Sequence, residues 1–477
     1  MTIRLSERVR KNDTSNYYKG SWLNMMKKIA TIFTAAALLF PAVAFASEAE
    51  ATALNTMGLN ALWIMLGAVL VLLMQGGFIF LETGSTRMKN AGHVAGKTIF
   101  TVGLAALVYW AVGYGISFGG GSLSAIIGLD YFFFDIPKTA SADAGYPDAV
   151  FFVFQFAFLA VSLSIAWGGF AERAKLSVYL IFTILFSALV YPVVAHWIWG
   201  GGWLGDHGKQ DFAGSTVVHL TGAMAALAAT ILLKPRIGKY NKDGSVNNIS
   251  GHNQVYSTMG VLILFVGWFG FNGASTLGVG DGFFGYVAAT TLLATGAGAI
   301  TALLTAWAAT GKADIVVMLN GTLAGLVAIT ASTAFVDPWA AVVIGAIGGL
   351  IVYPFMKLLD KLRIDDPIGA ITVHGAIGVW GTLSNGFFAT PELVEITGVG
   401  QPGLFYGGGF HQLGVQIMGV VSAGAYAFIV SFIILLIIKA VAGLRVTEEQ
   451  EIMGLDLSEH GAYGYPEQMK KQDQIGV

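Results

Sequence analysis

The sequence contains no cysteine among its 477 residues. This absence excludes a disulfide framework, a thiol nucleophile and zinc or iron–sulfur sites held by cysteine. Charge is also scarce, because only 11% of the residues are Asp, Glu, Lys or Arg, against roughly 25% in an ordinary soluble protein. So few groups cannot give a chain of this length a charged surface. The composition therefore excludes a cytosolic enzyme and a disordered protein.

Apolar residues take the place of the missing charges, at 55% of the chain with a mean hydropathy of +0.69. Outer-membrane barrels alternate polar and apolar residues and rarely reach this hydropathy. The composition therefore predicts an all-α protein with many membrane-spanning helices, and the 63 glycines suit close helix packing. The sequence has no nucleotide-binding loop and no nucleophile elbow. We expect no enzymatic activity, no cofactor and no nucleic-acid partner.

Residues 1–46 are predicted to be a targeting segment. Lys27 and Lys28 precede a short apolar run over 29–40, and residues 44–46 read A-F-A, a small-residue cleavage site of a signal peptide. Residues 1–24 are polar and basic, which is unusual for such a segment, so we favour a start of synthesis at Met25 or Met26. The alternative is an uncleaved first membrane helix.

Apolar stretches of ~20 residues, the length that crosses a bilayer, occur about eleven times within the predicted membrane domain, residues 47–440. The last stretch is longer than a bilayer needs, and residues 441–477 follow it as a tail. The stretches lie near 57–81, 94–117, 148–171, 176–198, 214–233, 256–275, 283–309, 314–333, 338–357, 368–388 and 411–440.

The loops between these stretches alternate in charge. Every second loop is rich in Lys and Arg, whereas the only Lys or Arg residues in the others are Lys138 and Lys209. Basic loops stay in the cytoplasm. The pattern predicts a multi-pass protein of the inner (plasma) membrane, with its mature N-terminus outside and its tail inside.

Two distant segments form a short internal repeat. Residues 214–219 read GSTVVH and residues 369–374 read GAITVH, in the fifth and tenth stretches. Because five crossings per half is an odd number, the second half must be inverted relative to the first. Inverted repeats place substrate sites at their interface near the middle of the membrane. We therefore predict an inverted five-plus-five repeat followed by a long final helix.

His219 and His374 end the two repeats and are the strongest functional candidates. A polar group inside a membrane is costly unless it meets a partner or faces a cavity, so either ring could be a satisfied packing residue. Equivalent positions in two repeats favour function. Facing imidazoles could line a narrow path, bind a small polar solute or pass a proton. Two histidines are a poor zinc site, and a haem with both as axial ligands is an alternative.

Carboxylates and aromatic rings accompany the histidines. Asp211 begins the fifth stretch, where it could cap the helix or bias a cation site, and Glu82 and Glu172 are expected to form structural pairs or caps. The aromatic rings could be an interfacial belt, or a cation–π site and a hydrophobic gate to which Gln155 and Ser275 add hydrogen bonds. These rings are Phe154, Phe158, Trp197, Trp199, Trp203, Trp268 and Phe271.

Longer motifs extend over nearly the whole chain after the targeting segment. They are GGFIFLETGSTRMKN (76–90), FAERAK (170–175), HWIWGGG (196–202), DFAGSTVVH (211–219), FGFNGAS (269–275), DDPIGAITVHG (365–375) and GLDLSEHG (454–461). In this combination the sequence resembles the bacterial ammonium transporter family, a branch of the ammonium transporter/Rhesus superfamily.

The resemblance implies a homotrimer with one narrow pore through each subunit, and it implies roles for single residues. Matched motif by motif, these are twin pore histidines for His219 and His374, an external ammonium site for Trp199 and Ser275 with Phe158 beside it, a stacked gate for Phe154 and Phe271, and an essential aspartate for Asp211.

The implied activity is ammonium transport. An outer aromatic site would bind the cation, and a dry channel would favour neutral ammonia because a buried charge is costly. Ammonia would pass the histidines, and we expect the proton to travel separately, so that transport carries net charge. The alternatives are a passive gas channel of the Rhesus type and an ammonium receptor that signals through the tail. The tail is either a solvated terminus or, as the family suggests, a docked surface where a trimeric P-II-type signalling protein could block the pore.

Overall fold

The computed structural model describes residues 56–137 and 145–468. The predicted signal segment, Lys138 and tail residues 469–477 lie outside these ranges. Within them the chain is helical and forms no strand, apart from isolated bridges between single residues. The predicted all-α fold is therefore confirmed.

Nine helices in the described residues are long and apolar enough to cross a membrane. Ile315–Thr330 is a shorter apolar helix, and residues 371–388 are also helical, so a helix lies near each of the eleven predicted stretches. In chain order they are α1 Thr56–Ser85, α2 Met88–Phe118, α3 Asp148–Trp167, α4 Leu176–Asp206, α5 Ser215–Leu233, α6 Gln254–Thr276, α7 Phe283–Thr310, α8 Ile315–Thr330, α9 Pro338–Lys361, α10 (371–388) and α11 His411–Val441.

The two halves pack in the same way. In the first half α1 packs on α3, and α3 packs on α5; in the second half α6 packs on α8, and α8 packs on α10. The first helices of the halves, α1 and α6, contact each other, and so do the fifth, α5 and α10. The short sequence repeat is thus part of a repeat of whole helical units. Helix α11 then lies along α5 and α10.

Glycine allows close contact between α7 and α9. A methyl group at Gly345 on α9 would overlap the carbonyl oxygen of Ala294 on α7, and one at Gly349 would overlap that of Gly298. Small residues at such positions let membrane helices approach to backbone contact. The high glycine content therefore has a direct role in packing α7 against α9.

A buried ion pair joins α1 to α2. Lys97 Nζ lies 2.7 Å from Glu82 Oε2, and both side chains are 1% exposed. The ammonium group also lies 5.7 Å from the ring centre of Trp167 and 5.8 Å from that of Tyr179. The expected structural pairing of Glu82 is present, and its partner is a lysine fifteen residues along the chain.

Further ion pairs hold the end of the bundle that carries the tail, which we name the tail face. Glu172 binds Arg87 at 2.8 Å and Arg236 at 3.2 Å, and Arg236 binds Asp365 at 2.8 Å. Burial alone would raise the pKa of Glu172, but Arg236 and Arg87 outweigh it and lower that pKa. The expected pairing of Glu172 is thus present, and it links loops from both halves.

Three carboxylates attach the tail to this face. Asp456 accepts hydrogen bonds from the backbone N–H groups of Gly92 (3.0 Å) and His93 (2.7 Å) at the first turns of α2. Glu451 accepts one from Ile237 N at 2.8 Å, and Glu459 one from Leu176 N at 2.9 Å. Asp456 and Glu451 are each 1% exposed. The described part of the tail is therefore docked rather than solvated.

Candidate functional site

The structure brings His219 and His374 together at the centre of the repeat interface. Each lies on a π-helical turn, Ser215–Leu220 at the start of α5 and Ile371–Ala376 at the start of α10. The Nδ1 atoms are 3.2 Å apart, and the rings stack with centroids at 5.1 Å and an interplanar angle of 22°. His219 is fully buried and His374 is 5% exposed. The pair is a contact between imidazoles inside the membrane-spanning bundle.

Matching aspartates and glycines position the two turns. Gly214 and Gly369 precede them with φ of 116° and 80°, a conformation that favours glycine. Asp211 accepts hydrogen bonds from the N–H groups of Gly214 (3.2 Å), Thr216 (3.0 Å) and Val217 (2.9 Å). It is therefore the N-terminal cap that its position predicted.

Asp366 has the same role in the second half, which the sequence analysis missed. Its Oδ2 accepts hydrogen bonds from Thr372 N at 3.1 Å and from the Thr372 hydroxyl at 3.3 Å. Burial raises the pKa of Asp366 to about 6. A signal was available, because Asp366 precedes His374 by the same eight residues that separate Asp211 from His219.

A column of aromatic rings continues from His219. Its ring stacks on Trp268 (5.2 Å, 17°) and on Phe271 (5.5 Å, 23°), both from α6. Phe271 then stacks on Phe158 of α3, with centroids at 4.2 Å and an angle of 27°. Imidazole and phenyl rings thus fill the space between α3, α5 and α6.

The stacked pair differs from the one that the resemblance implied. Phe154 was expected to stack on Phe271, but it meets Phe158 edge-on instead, at 4.7 Å and 62°. Phe154 and Phe158 are four residues apart, so they lie one above the other on the same face of α3. Only Phe158 stacks on Phe271, and Phe154 lies one helical turn closer to the N-terminus of α3.

A cavity of about 300 Å³ opens beyond Phe158, and we name it the vestibule. Trp199 is edge-on to Phe158 at 5.9 Å and 83°, and its indole N–H donates to the carbonyl oxygen of Asp211 at 2.7 Å. The Ser275 hydroxyl donates to Phe271 O at 2.7 Å. The lining residues are Phe118, Tyr146, Phe151, Phe154, Gln155, Phe158, Ile198, Trp199, Phe212, Ser275 and Leu277.

Gln155 adds a free acceptor to this wall. It is 7% exposed, and its Oε1 has no hydrogen-bond partner among the described residues. The sequence analysis named Gln155 as a contributor of hydrogen bonds but gave it no assigned role. The vestibule therefore combines aromatic rings with a hydroxyl and an amide oxygen, which suits a small cation that donates hydrogen bonds.

The passage narrows on the other side of the histidines. A cavity of about 10 Å³ touches His374 and has mostly apolar walls, including Phe78, Leu81 and Ile165. This volume holds about one water molecule. The arrangement from the vestibule to this cavity disfavours a hydrated ion and suits a small neutral solute.

The geometry of the histidines contradicts the haem alternative. A haem would have to lie between the two axial rings, whereas these imidazoles stack on each other with centroids 5.1 Å apart and their Nδ1 atoms in direct contact at 3.2 Å, which leaves no room for the macrocycle. Within the part of the chain that the structure describes, no three His, Cys, Asp or Glu side chains converge on a metal site.

Comparisons with known proteins point to one family. The model of the Ammonium Transporter Family matches residues 62–465. Ammonium transporter Amt2 of Archaeoglobus fulgidus is 41% identical over 417 residues, which are 85% of this chain and 87% of that protein. A solved structure named Sensor Amt Protein is 38% identical with a TM-score of 0.78, covering 85% of this chain and 99% of that one. Mep2 of Candida albicans is 32% identical with a TM-score of 0.77, covering 86% and 90%.

Proposed function

This chain belongs to the Ammonium Transporter Family, a family of transporters rather than enzymes, and we propose that it carries ammonium across the membrane along the path from vestibule to histidines. The continuous column of Phe158, Phe271, His219 and His374 supports this most directly. It begins at a cavity suited to a cation and ends at one with room for about a single water. Among the described residues that line the two cavities there is no Asp or Glu, whereas a metal-cation channel uses a ring of acidic groups.

The vestibule is the proposed ammonium site. The faces of Trp199 and Phe158 attract a cation through their ring quadrupoles, and ammonium has four N–H donors for oxygen acceptors. Ser275 and Gln155 provide such acceptors in the cavity wall. Potassium has a similar size and also takes oxygen ligands, but it donates no hydrogen bond, so a few acceptors placed for N–H donors match ammonium better.

The stacked phenylalanines are the proposed gate. Phe158 and Phe271 close the inner end of the vestibule, and the bound cation has to lose its water to pass them. Desolvation penalises the charged form, so ammonium gives up a proton and ammonia proceeds. Potassium cannot escape the penalty in this way, which gives a second basis for selectivity.

The two imidazoles are the proposed polar contacts of ammonia in the apolar passage. Each ring can donate at one nitrogen and accept at the other, so the His219–His374 pair can bind ammonia and also relay a proton. We propose that the released proton takes this imidazole route with transient water, so that each ammonium moved carries charge.

Three further features belong to this proposal. The loops of the tail face are basic, so this face is taken as cytoplasmic, with residues 1–46 removed as a signal peptide. The protein is taken to be a homotrimer in the inner membrane with one pore per subunit. The docked tail offers a cytoplasmic surface where a P-II-type protein could close the pore.

A supported-membrane recording tests the proposal. Purified protein is reconstituted in liposomes on the sensor and exposed to jumps of ammonium or potassium of equal size. We expect a current for ammonium alone, which Phe271→Ala alters and the exposed-position control Phe410→Ala leaves unchanged. Silence with ammonium, from folded protein, would refute the charge-carrying version.

A further inference from the structure

A buried lysine lies beside Asp211, in the connection between α4 and α5. Lys209 is 2% exposed. In the sequence it is one of the few basic residues in the less basic set of loops. Its Nζ donates hydrogen bonds to Gln210 O at 3.0 Å and to the Thr216 hydroxyl at 3.2 Å. Lys209 is not among the residues that line the vestibule.

Helix α11 provides a fitted space for this side chain. A methyl group at Gly419 would overlap the Cε and Cδ atoms of Lys209, so glycine leaves room for the lysine stem. One turn earlier, Gln416 fixes the neighbouring backbone: its Oε1 accepts from Gln210 N at 3.0 Å, and its Nε2 donates to Gln210 O at 2.7 Å. The amine is therefore held in one position.

Thr216 links the amine to the site. Its hydroxyl contacts Lys209 Nζ and also Thr382 Oγ1 at 2.6 Å, while its backbone N–H donates to Asp211 Oδ2 at 3.0 Å. The carbonyl oxygen of Asp211 in turn accepts the indole N–H of Trp199. Thr216 and Asp211 thus connect the Lys209 amine to Trp199 in the wall of the vestibule.

Asp211 is the only charged group buried beside Lys209 among the described residues. Other titratable groups on the surrounding elements include Tyr191, which interacts with Asp211, His219 on the pore side, and the exposed Asp206, His207 and His411. His196 of α4 is buried and hydrogen-bonded to the carbonyl oxygens of Ser117 and Ser124. Burial lowers the pKa of Lys209 to about 8, although the Asp211 charge acts in the opposite direction. The amine therefore loses its proton within a range that experiments can reach.

We propose that Lys209 is the counter-charge of Asp211 and thereby sets how strongly the vestibule attracts a cation. It is a positioning residue that touches no substrate. With Lys209 protonated, the pair is neutral overall; with Lys209 neutral, the charge of Asp211 is uncompensated and draws the cation more strongly. The inference rests on the proposed function, since it concerns the affinity of the same site.

The test compares half-saturating ammonium concentrations in supported-membrane recordings at pH 6.5 and pH 8.5. In the wild type we expect the half-saturating concentration of ammonium ion to fall as Lys209 loses its proton. A single charge roughly 10 Å away at an effective dielectric constant near 20 changes affinity roughly fifteenfold. Lys209→Met should show the lower value at both pH values, and Lys209→Arg, which keeps its charge, should show the higher value at both.

Each outcome decides the inference. Equal half-saturating concentrations in wild type and Lys209→Met at pH 6.5 would overturn it, and so would a loss of maximal current at unchanged half-saturation, which indicates a structural role only. If Lys209→Met fails to fold, Lys209→Gln removes the charge and keeps a donor for Thr216. Absence of any ammonium response in the wild type would instead contradict the proposed function.

Discussion

Replacing Glu82 by leucine leaves the Lys97 ammonium group without its carboxylate inside the membrane-spanning bundle. The pair lies 2.7 Å apart with both side chains 1% exposed, and loss of one partner from such a pair destabilises a protein by about 3–5 kcal/mol. The rings of Trp167 and Tyr179, at 5.7 and 5.8 Å, attract the ammonium group in the wild type and in the variant, so they do not change the difference. We therefore expect a loss of about 3–5 kcal/mol.

The double replacement Glu82→Leu with Lys97→Met separates charge burial from packing. It removes both charges and keeps apolar side chains of similar volume, which is often neutral or stabilising. We expect the double variant to lie within about 1 kcal/mol of the wild type, far from the sum of the two single losses. Unfolding in mixed micelles with rising sodium dodecyl sulfate, followed by tryptophan fluorescence, measures all four proteins.

Lys312→Met is the matched control, because Lys312 is exposed and its loss should leave the midpoint unchanged. The reasoning is refuted if the single replacements at Glu82 and Lys97 are neutral. It is equally refuted if their effects simply add in the double variant, because additivity would mean that the two charges do not compensate each other.

Three further predictions concern aspartates that accept hydrogen bonds from backbone N–H groups. Asp211→Ala removes an N-terminal cap, at a cost of about 0.5–2 kcal/mol, and releases the turn that carries His219, so methylammonium uptake should be lost while the protein still reaches the membrane. Burial raises the pKa of Asp366 to about 6, so the folded state holds that proton more tightly than the unfolded chain does. The thermal midpoint should therefore fall as pH rises from about 4 to 6. Asp366→Asn should abolish this decline. Asp456→Asn weakens the contact of the tail with α2. The backbone amides of residues 448–460 should therefore exchange hydrogen faster than in the wild type, whereas exchange in α5 should be unchanged.

The positions of the membrane-spanning helices could be predicted from the sequence because hydrophobic length is a local property. Each crossing needs its own run of apolar residues, so the runs are visible without knowledge of their neighbours. The repeat around His219 and His374 is also local, and its odd number of crossings fixes the inversion. The contact between the two rings follows from that symmetry.

The contacts between buried side chains could not be predicted, because they depend on how far neighbouring helices are shifted along their axes. Phe154 and Phe158 are equivalent in spacing, and only the height of α3 against α6 decides that Phe158 meets Phe271. The same holds for Glu82, whose partner Lys97 is on the next helix.

Hydropathy likewise does not indicate which loop residues are buried. Lys209 is in a connecting segment, where charges are usually solvated, yet the close approach of α11 at Gly419 encloses it. Asp366 could have been found from spacing alone, since it matches Asp211.

Growth of a strain that lacks its own ammonium uptake, on low ammonium as sole nitrogen source, tests the central claim most directly. The account predicts that the intact protein restores growth and that His219→Ala and His374→Ala, at equal membrane levels, grow more slowly because the passage has lost its polar contacts. Failure of the intact protein to support growth, or undiminished growth with both histidines replaced, would contradict it.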